Sequence, residues 1–393
     1  MARQDNGGNG FDNMRERMRS LPLQNIADIA KKGFGRKDLI VLWFGEGDLS
    51  TPQFICDAAS QAMRDGHTFY TYQNGIPELR GALSTYMSGL YGKRIESDRV
   101  TVTPGGMAAI LHGLQMVMDA GDNVVVIDPV WPNIRGGVHL LGGELRSHRM
   151  DPDPETGWNL DLDKLADLMD DRTKAVFYAS PGNPTGWVMP REQQKQLLEI
   201  CRARGIWVIA DEVYTRFHYS QKVAPSMLEH AEPEDLVLVV NSFSKAWCMT
   251  GWRIGWLTHP PSCADTLAML VQYNTSGTAT FLQHAAVTAI EQGEPFVDML
   301  VKRCHEARDV VCDSLQNLPR IRNLTRPEGA MYVYFQVDGM TDSRQVCGDI
   351  LERSGVGLAP GFAFGDESYL RICYCTDPKI LAEAMERIRP EFM

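Results

Sequence analysis

The 393-residue chain has no long run of basic residues and carries a net charge of −11, with a pI near 5.4. Nucleic acid and anionic membrane are therefore not expected partners, since both are gripped mainly through clustered Lys and Arg. No apolar run approaches the ~20 residues a bilayer-spanning helix needs. The opening stretch, Met1-Ala2-Arg3-Gln4-Asp5-Asn6-Gly7-Gly8-Asn9-Gly10, lacks the apolar core of a secretion signal. The nine cysteines are an odd number and include no CxxC pair. That pattern fits reduced thiols in a cytoplasmic protein better than a disulfide framework, and no metal-ligand cluster stands out. Internal repeats are missing as well.

A hydrophobic share of 44% over this length is enough to bury one large core with a smaller lobe beside it. Residues 1–20, first Gly/Asn-rich and then highly charged, are expected to form a mobile arm. From about residue 100 short apolar runs alternate with amphipathic stretches. Val124 to Ile127, Ala175 to Tyr178, Ile206 to Ile209 and Leu236 to Val240 read as strands buried on both faces. Leu160 to Asp170 and Arg191 to Arg204 read as helices between them. The alternation predicts an α/β architecture, a mostly parallel sheet with right-handed helical crossovers, over residues 50–290. After about residue 290 the pattern changes to a long helix, Phe296 to Leu315, and the strands Ala330 to Phe335 and Tyr369 to Tyr374. Residues 21–49 and 291–393 are expected to form a smaller α+β domain.

The predicted strands end on chemistry. Beyond their carboxyl ends lie Asp128-Pro129-Val130-Trp131, Ser180-Pro181-Gly182-Asn183-Pro184-Thr185-Gly186, Asp211-Glu212-Val213-Tyr214 and Ser242-Phe243-Ser244-Lys245. Open α/β sheets bind ligands outside those ends, so an indole, an amide, a carboxylate, a phenol and an amine are expected in one crevice. Singly, each has a plain reading: Asp211 as a helix cap, Asn183-Pro184 as a turn, Lys245 as a solvated loop residue. Arg253 follows Lys245 by eight positions. Amine, hydroxyls and guanidinium together suit an aldehyde cofactor that carries a phosphate. Thr103-Pro104-Gly105-Gly106-Met107 opens a helix expected to run to about Asp119, and two glycines there let backbone N–H groups approach an anion. Arg371 alternates with Leu370 and Ile372, which by itself suggests an arginine on a solvated sheet face.

As a set these motifs resemble the class I/II aminotransferases, fold-type I pyridoxal-phosphate enzymes related to aspartate aminotransferase. The resemblance runs from about Leu42 to Arg371. It rests on Tyr70 before Gly75-Ile76-Pro77-Glu78-Leu79, the Gly105-Gly106 helix start, Asn183-Pro184-Thr185-Gly186, Asp211-x-x-Tyr214, and Ser242-x-Ser-Lys245 with Arg253. It implies a three-layer large domain with a smaller domain, and pyridoxal 5′-phosphate carried on Lys245. It further implies Asp211 on the ring nitrogen, Tyr214 and Asn183 on the ring oxygen, and Trp131 stacked on the ring. The phosphate would be cupped by Gly105, Gly106, Met107, Ser242, Ser244 and Arg253. Tyr70 would reach the phosphate from a neighbouring subunit of a homodimer that shares its active sites. Arg371, Gly45 and Asn183 would hold the α-carboxylate of amino-acid and 2-oxo-acid substrates. Lys245, Asp211 and Tyr214 are thus the expected catalytic residues of a ping-pong amino transfer.

One departure bears on specificity. A branch of the family has a lysine after the Gly-Gly pair that binds a substrate's distal carboxylate; here the residue is Met107. Arg135 is a candidate for the missing cation, although a surface role suits it better. Met107, Trp131 and Phe44 make an apolar pocket, so donors with neutral side chains are expected, with 2-oxoglutarate or pyruvate as acceptor. The same scaffold hosts β-lyases and aminocyclopropane-carboxylate synthases, and a more remote alternative is a cofactor-binding regulator.

Overall fold

In each apolar run of the central sheet, alternate residues point to opposite faces, and both faces are covered. Val124, Val126, Ala175, Phe177, Ile209, Leu238 and Val240 pack with the helices Gly106–Val117 and Ala264–Thr275. Val125, Val176, Tyr178, Val208 and Val239 belong to the core of the other side, with the helices Pro77–Tyr91, Arg191–Arg204 and Thr280–Gln292. Two covered faces explain why these strands read as continuous apolar runs rather than as polar–apolar alternation. The result is a helix–sheet–helix stack. The chain is described here from a computed structural model covering residues 13–21, 26–33, 35–36 and 38–393.

The large sheet has seven strands. From one edge to the other they are Val100–Thr103, Gly255–Thr258, Val237–Ser242, Trp207–Asp211, Thr173–Ala179, Asn123–Asp128 and Glu144–Arg149. All neighbours pair in parallel except Gly255–Thr258, which runs antiparallel to both of its own. A four-stranded antiparallel sheet holds Ile321–Arg322, Tyr332–Val337, Tyr369–Cys373 and Ala359–Pro360. The early strand Ile40–Val41 pairs in parallel with Val356–Gly357, which ties the N-terminal segment to the C-terminal lobe.

Element ends follow local chemistry. Asp161 accepts from the N–H groups of Asp163 and Lys164, so the helix expected over Leu160 to Asp170 is a shorter one, Leu162–Asp167. The helix opened by Gly106 stops at Val117, short of Asp119, where Met118 turns extended. Of the expected N-terminal arm, residues 1–12 lie outside the described residues. Glu16–Arg19 forms a single helical turn beside the helix Asn133–Leu141, with the His139 Nε2 3.1 Å from the Arg17 carbonyl oxygen. Among the described residues no helix is long and apolar enough to cross a membrane.

Candidate active site

Parallel strands deliver their carboxyl ends to one edge of a sheet, and here that edge opens on a cavity of ≈ 330 Å³. Met107, Trp131, Asn183, Asp211, Tyr214, Ser242, Ser244 and Lys245 all line it, each at or just beyond the carboxyl end of a strand. Arg253 arrives by a different route. It precedes the antiparallel strand Gly255–Thr258, whose first residue pairs with both Ser242 and Thr103, so the start of that strand lies where its neighbours finish. The small lobe closes the cavity with Tyr332 and Arg371, and the N-terminal segment adds Ile26, Ala27, Trp43, Phe44 and Gly45.

One end of the cavity is built for an anion. Gly105, at φ +87°, caps the 12-residue helix Gly106–Val117 and aims its first N–H groups outward. A Cβ on Gly105 would sit 2.6 Å from the Arg253 Nη2, so only glycine lets the guanidinium lie against this turn. The Ser242 Oγ donates to the Ser244 Oγ at 2.9 Å beside it. Arg253 itself donates to the Thr250 carbonyl at 2.7 Å and, among the described residues, makes no ion pair.

The middle of the cavity carries an amine and a carboxylate. The Lys245 Nζ donates to the Gly45 carbonyl at 2.5 Å. Burial lowers its pKa, with Cys373 pulling upward and Arg371 down. Asp211 is only 5% exposed, and burial pushes its carboxyl up to about 6, against one N–H donated by Val213 at 3.3 Å. Among the described residues no cation bonds to it directly. The Tyr214 hydroxyl lies 2.5 Å from that of Tyr332, and burial holds its pKa well above the usual phenol value.

The small-lobe wall presents a second cation. Arg371 is 2% exposed, so the solvated sheet face that its alternation suggested is overturned. Register explains why: Tyr332 pairs with Cys373 and Tyr334 with Arg371, placing all four on one face of the small sheet, and the large lobe covers that face. The Arg371 Nη1 donates to the Asn183 Oδ1 at 2.9 Å and Nη2 to the Trp43 carbonyl, while Nε has no partner among the described residues. Its guanidinium lies 4.4 Å from the Tyr332 ring centroid and 5.0 Å from that of Phe364. No carboxylate pairs with it among the described residues.

Two expected residues stand apart. Tyr70 is 93% exposed and lines no part of this cavity within its own protomer. Arg135 is held by Asp128 at 2.5 Å and does not line the cavity, whose apolar lining includes Ile26, Ala27, Phe44, Met107, Ile110 and Trp131. Sequence reasoning missed Tyr332, the Trp43 carbonyl and the Ile26–Ala27 corner. The aromatic alternation Tyr332-x-Tyr334 was the only available signal for the first.

The chain matches known proteins over most of its length. The family model described as aminotransferase class I and II covers residues 39–388. An aspartate aminotransferase of Pyrococcus horikoshii is 32% identical over 378 residues, 95% of either chain. The crystal structure of an aspartate aminotransferase from Thermotoga maritima superimposes with a TM-score of 0.88 at 31% identity, covering 96% of this chain and 99% of that one. An aromatic aminotransferase structure from Pyrococcus horikoshii gives 0.84 at 28% identity, with 93% and 98% covered.

Proposed function

This chain belongs to the class I and II aminotransferases, and from that membership we propose which of its residues perform the amino transfer and on what substrates. The enzyme has the fold-type I architecture and depends on pyridoxal phosphate to move an amino group between an amino acid and a 2-oxo acid. When bound, that cofactor supplies an aldehyde that takes up the substrate amine and a ring that withdraws electrons from the substrate Cα.

The cavity fits the group. Its carrying observation is a pair of cations, Arg253 and Arg371, neither with a carboxylate partner among the described residues, in one cavity with a buried amine and a buried carboxylate. Arg253, the Ser242 and Ser244 hydroxyls and the N–H groups at Gly106 and Met107 would hold the phosphate. Asp211 would hold the protonated ring nitrogen, which relieves the isolation of a carboxyl that burial otherwise drives toward its neutral form. Tyr214 and Asn183 would hydrogen-bond the ring oxygen, and Trp131 would cover a ring face. Arg371, with an unpaired Nε and a planar fork, would grip the substrate α-carboxylate in two-pronged fashion beside Gly45 and Asn183. Lys245, made less basic by burial, has a larger share of neutral amine near neutral pH. It would carry the cofactor through this amine, and the same amine would serve as the base for the proton on the substrate Cα.

The relatives named above as aspartate aminotransferases act on a dicarboxylate. In this chain the side-chain end of the cavity is apolar, and Arg135 is already paired. A carboxylate entering it would lose hydration worth several kcal/mol without a compensating cation. One pocket serves both halves of a ping-pong exchange, so donor and acceptor face the same desolvation cost. The preferred donors are L-amino acids with aliphatic or aromatic side chains, and pyruvate should outperform 2-oxoglutarate. Comparing kcat/KM for aspartate, glutamate, alanine, leucine, methionine and phenylalanine with a fixed acceptor tests this. A preference for aspartate over every neutral donor would reject it. Omitting the oxo acid distinguishes transfer from elimination: a single turnover per site is expected with amino acid alone, whereas a lyase would continue.

Tyr70, nearly all of it exposed beside exposed Phe69 and Tyr72, suits a homodimer in which it completes the partner's phosphate site. Residues 21–49 with 291–393 would act as the lobe that carries Arg371 against the 50–290 lobe. Nine unbridged cysteines favour the reducing cytoplasm. Sedimentation at working concentration checks the dimer; a monomer would contradict the shared site.

A further inference from the structure

Tyr332 touches both ends of the substrate machinery without having been singled out by any motif. It is fully buried on the strand Tyr332–Val337, and it lines the same cavity as Lys245. Its hydroxyl meets the Tyr214 hydroxyl at 2.5 Å, and its ring lies beneath the Arg371 guanidinium. A Cβ on Gly45 would run into that hydroxyl, so the chain leaves room for it at the residue whose carbonyl also holds Lys245.

Two phenols in contact share one bond but own two hydrogens. One hydrogen lies between the oxygens and the other is free to point elsewhere. Which phenol donates is decided by their surroundings. Arg371 opposes the rise that burial imposes on both phenols, but its guanidinium lies over the Tyr332 ring, 4.4 Å from the centroid, so the phenol it covers feels that charge more closely. Tyr332 is therefore the better donor of the two. Tyr214, accepting from it, is left with its own hydrogen to present to the cavity. The other groups facing the pair are Lys245, 5.5 Å from the Tyr214 ring centroid, the Cys373 thiol, which burial keeps neutral, and the Cys375 thiol, which its contact with Cys304 and then burial keep neutral.

We propose that Tyr332 is a positioning residue for the amino transfer: its hydroxyl donates to Tyr214, so that Tyr214 donates to the cofactor's ring oxygen, and its ring braces Arg371. The two roles sit on different atoms and separate cleanly. The hydroxyl tunes the site's proton affinity, because a hydrogen bond accepted by Tyr214 strengthens the one it donates. The ring supports carboxylate binding, because it stabilises the cation and holds its plane. The proposal rests on the reading that Tyr214 faces the ring oxygen, and the experiment separates the failure of either.

In the holoenzyme, the pH midpoint of the bound cofactor's absorbance reports how well a negative ring oxygen is stabilised. Tyr332→Phe is expected to raise that midpoint by about 0.3–1 unit, the worth of one hydrogen bond, with the donor KM within about twofold of wild type. Tyr214→Phe is expected to raise it further. Tyr332→Leu should raise the midpoint similarly and also raise KM by roughly tenfold, because the ring under Arg371 is gone. A Tyr332→3-fluorotyrosine variant keeps shape and packing while making the phenol a stronger donor, so its midpoint should move down. If Tyr332→Phe and the fluorinated variant leave the midpoint in place while Tyr214→Phe moves it, Tyr332 is a packing residue and the proposal falls. If Tyr214→Phe leaves it in place too, the placement of Tyr214 against the ring oxygen is wrong, and the proposal falls with it.

Discussion

Replacing Arg371 by lysine keeps the charge and removes the fork. The guanidinium spends one donor on the Asn183 Oδ1 at 2.9 Å and another on the Trp43 carbonyl, leaving Nε unpaired in a buried site. A single ammonium cannot satisfy both of these acceptors and also give two parallel bonds to a carboxylate. Loss of one charge-assisted bond to substrate is worth about 1.5–3 kcal/mol, so kcat/KM should fall roughly 10- to 150-fold, mostly through KM. An abandoned acceptor at Asn183 or Trp43 adds about 1–3 kcal/mol of fold destabilisation, visible as a lower Tm. Cofactor affinity should hold, because Arg253, the serines and Asp211 are untouched. The assay pairs steady-state kinetics on one donor with titration of the apoenzyme by pyridoxal phosphate. An unchanged KM would remove Arg371 from substrate binding, and a lost cofactor would make it structural.

Asp211→Asn should stabilise the apoenzyme in a pH-dependent way. The folded carboxyl titrates near 6 against an ordinary 3.8, so its neutral form favours folding below about pH 4 and that contribution is lost as pH rises through 6. The gap of about 2 units corresponds to roughly 3 kcal/mol. Apo Tm curves for wild type and Asp211→Asn should therefore converge near pH 4 and separate by pH 8, with the variant higher; parallel curves would contradict the buried-acid reading. Gly105→Ala forces a side chain into an extended positive-φ conformation (φ +87°, ψ 168°) that essentially only glycine adopts, costing about 1–3 kcal/mol, and meets Arg253, so the cofactor dissociation constant should rise about tenfold or more. Unchanged affinity would take Gly105 out of the phosphate cup. Tyr70→Phe should weaken cofactor binding by about 1.5–3 kcal/mol in the dimer, measured by the same titration, and an unchanged constant would remove the crossing contact.

What the sequence revealed and concealed has a physical pattern. Lys245, Asp211, Asn183 and Trp131 were legible because each follows a short apolar strand, and parallel strands must finish on one side. Arg253 was legible only by its spacing: the reversal of Gly255–Thr258 that brings it to the same edge leaves no mark in an apolar run. Arg371 showed the opposite failure. Its alternation gave the face correctly, but whether that face meets water or another lobe depends on tertiary packing. Tyr332 sits in a run where every residue is apolar or aromatic, so nothing marked its hydroxyl as the one turned to Tyr214. Ile26 and Ala27 reach the cavity from about 80 residues before its nearest strand-end neighbour, Met107, a fold-back that local pattern does not encode.

Lys245 is at the centre of the proposed mechanism as the residue that would carry the cofactor. Borohydride reduction of the holoenzyme, followed by proteolysis and peptide mass analysis, tests that most directly. The expected result is one pyridoxyl adduct per chain, on Lys245, absent from a Lys245→Ala variant that still folds. An adduct on any other lysine, or none in an enzyme that retains its cofactor and activity, would contradict the mechanism at its centre.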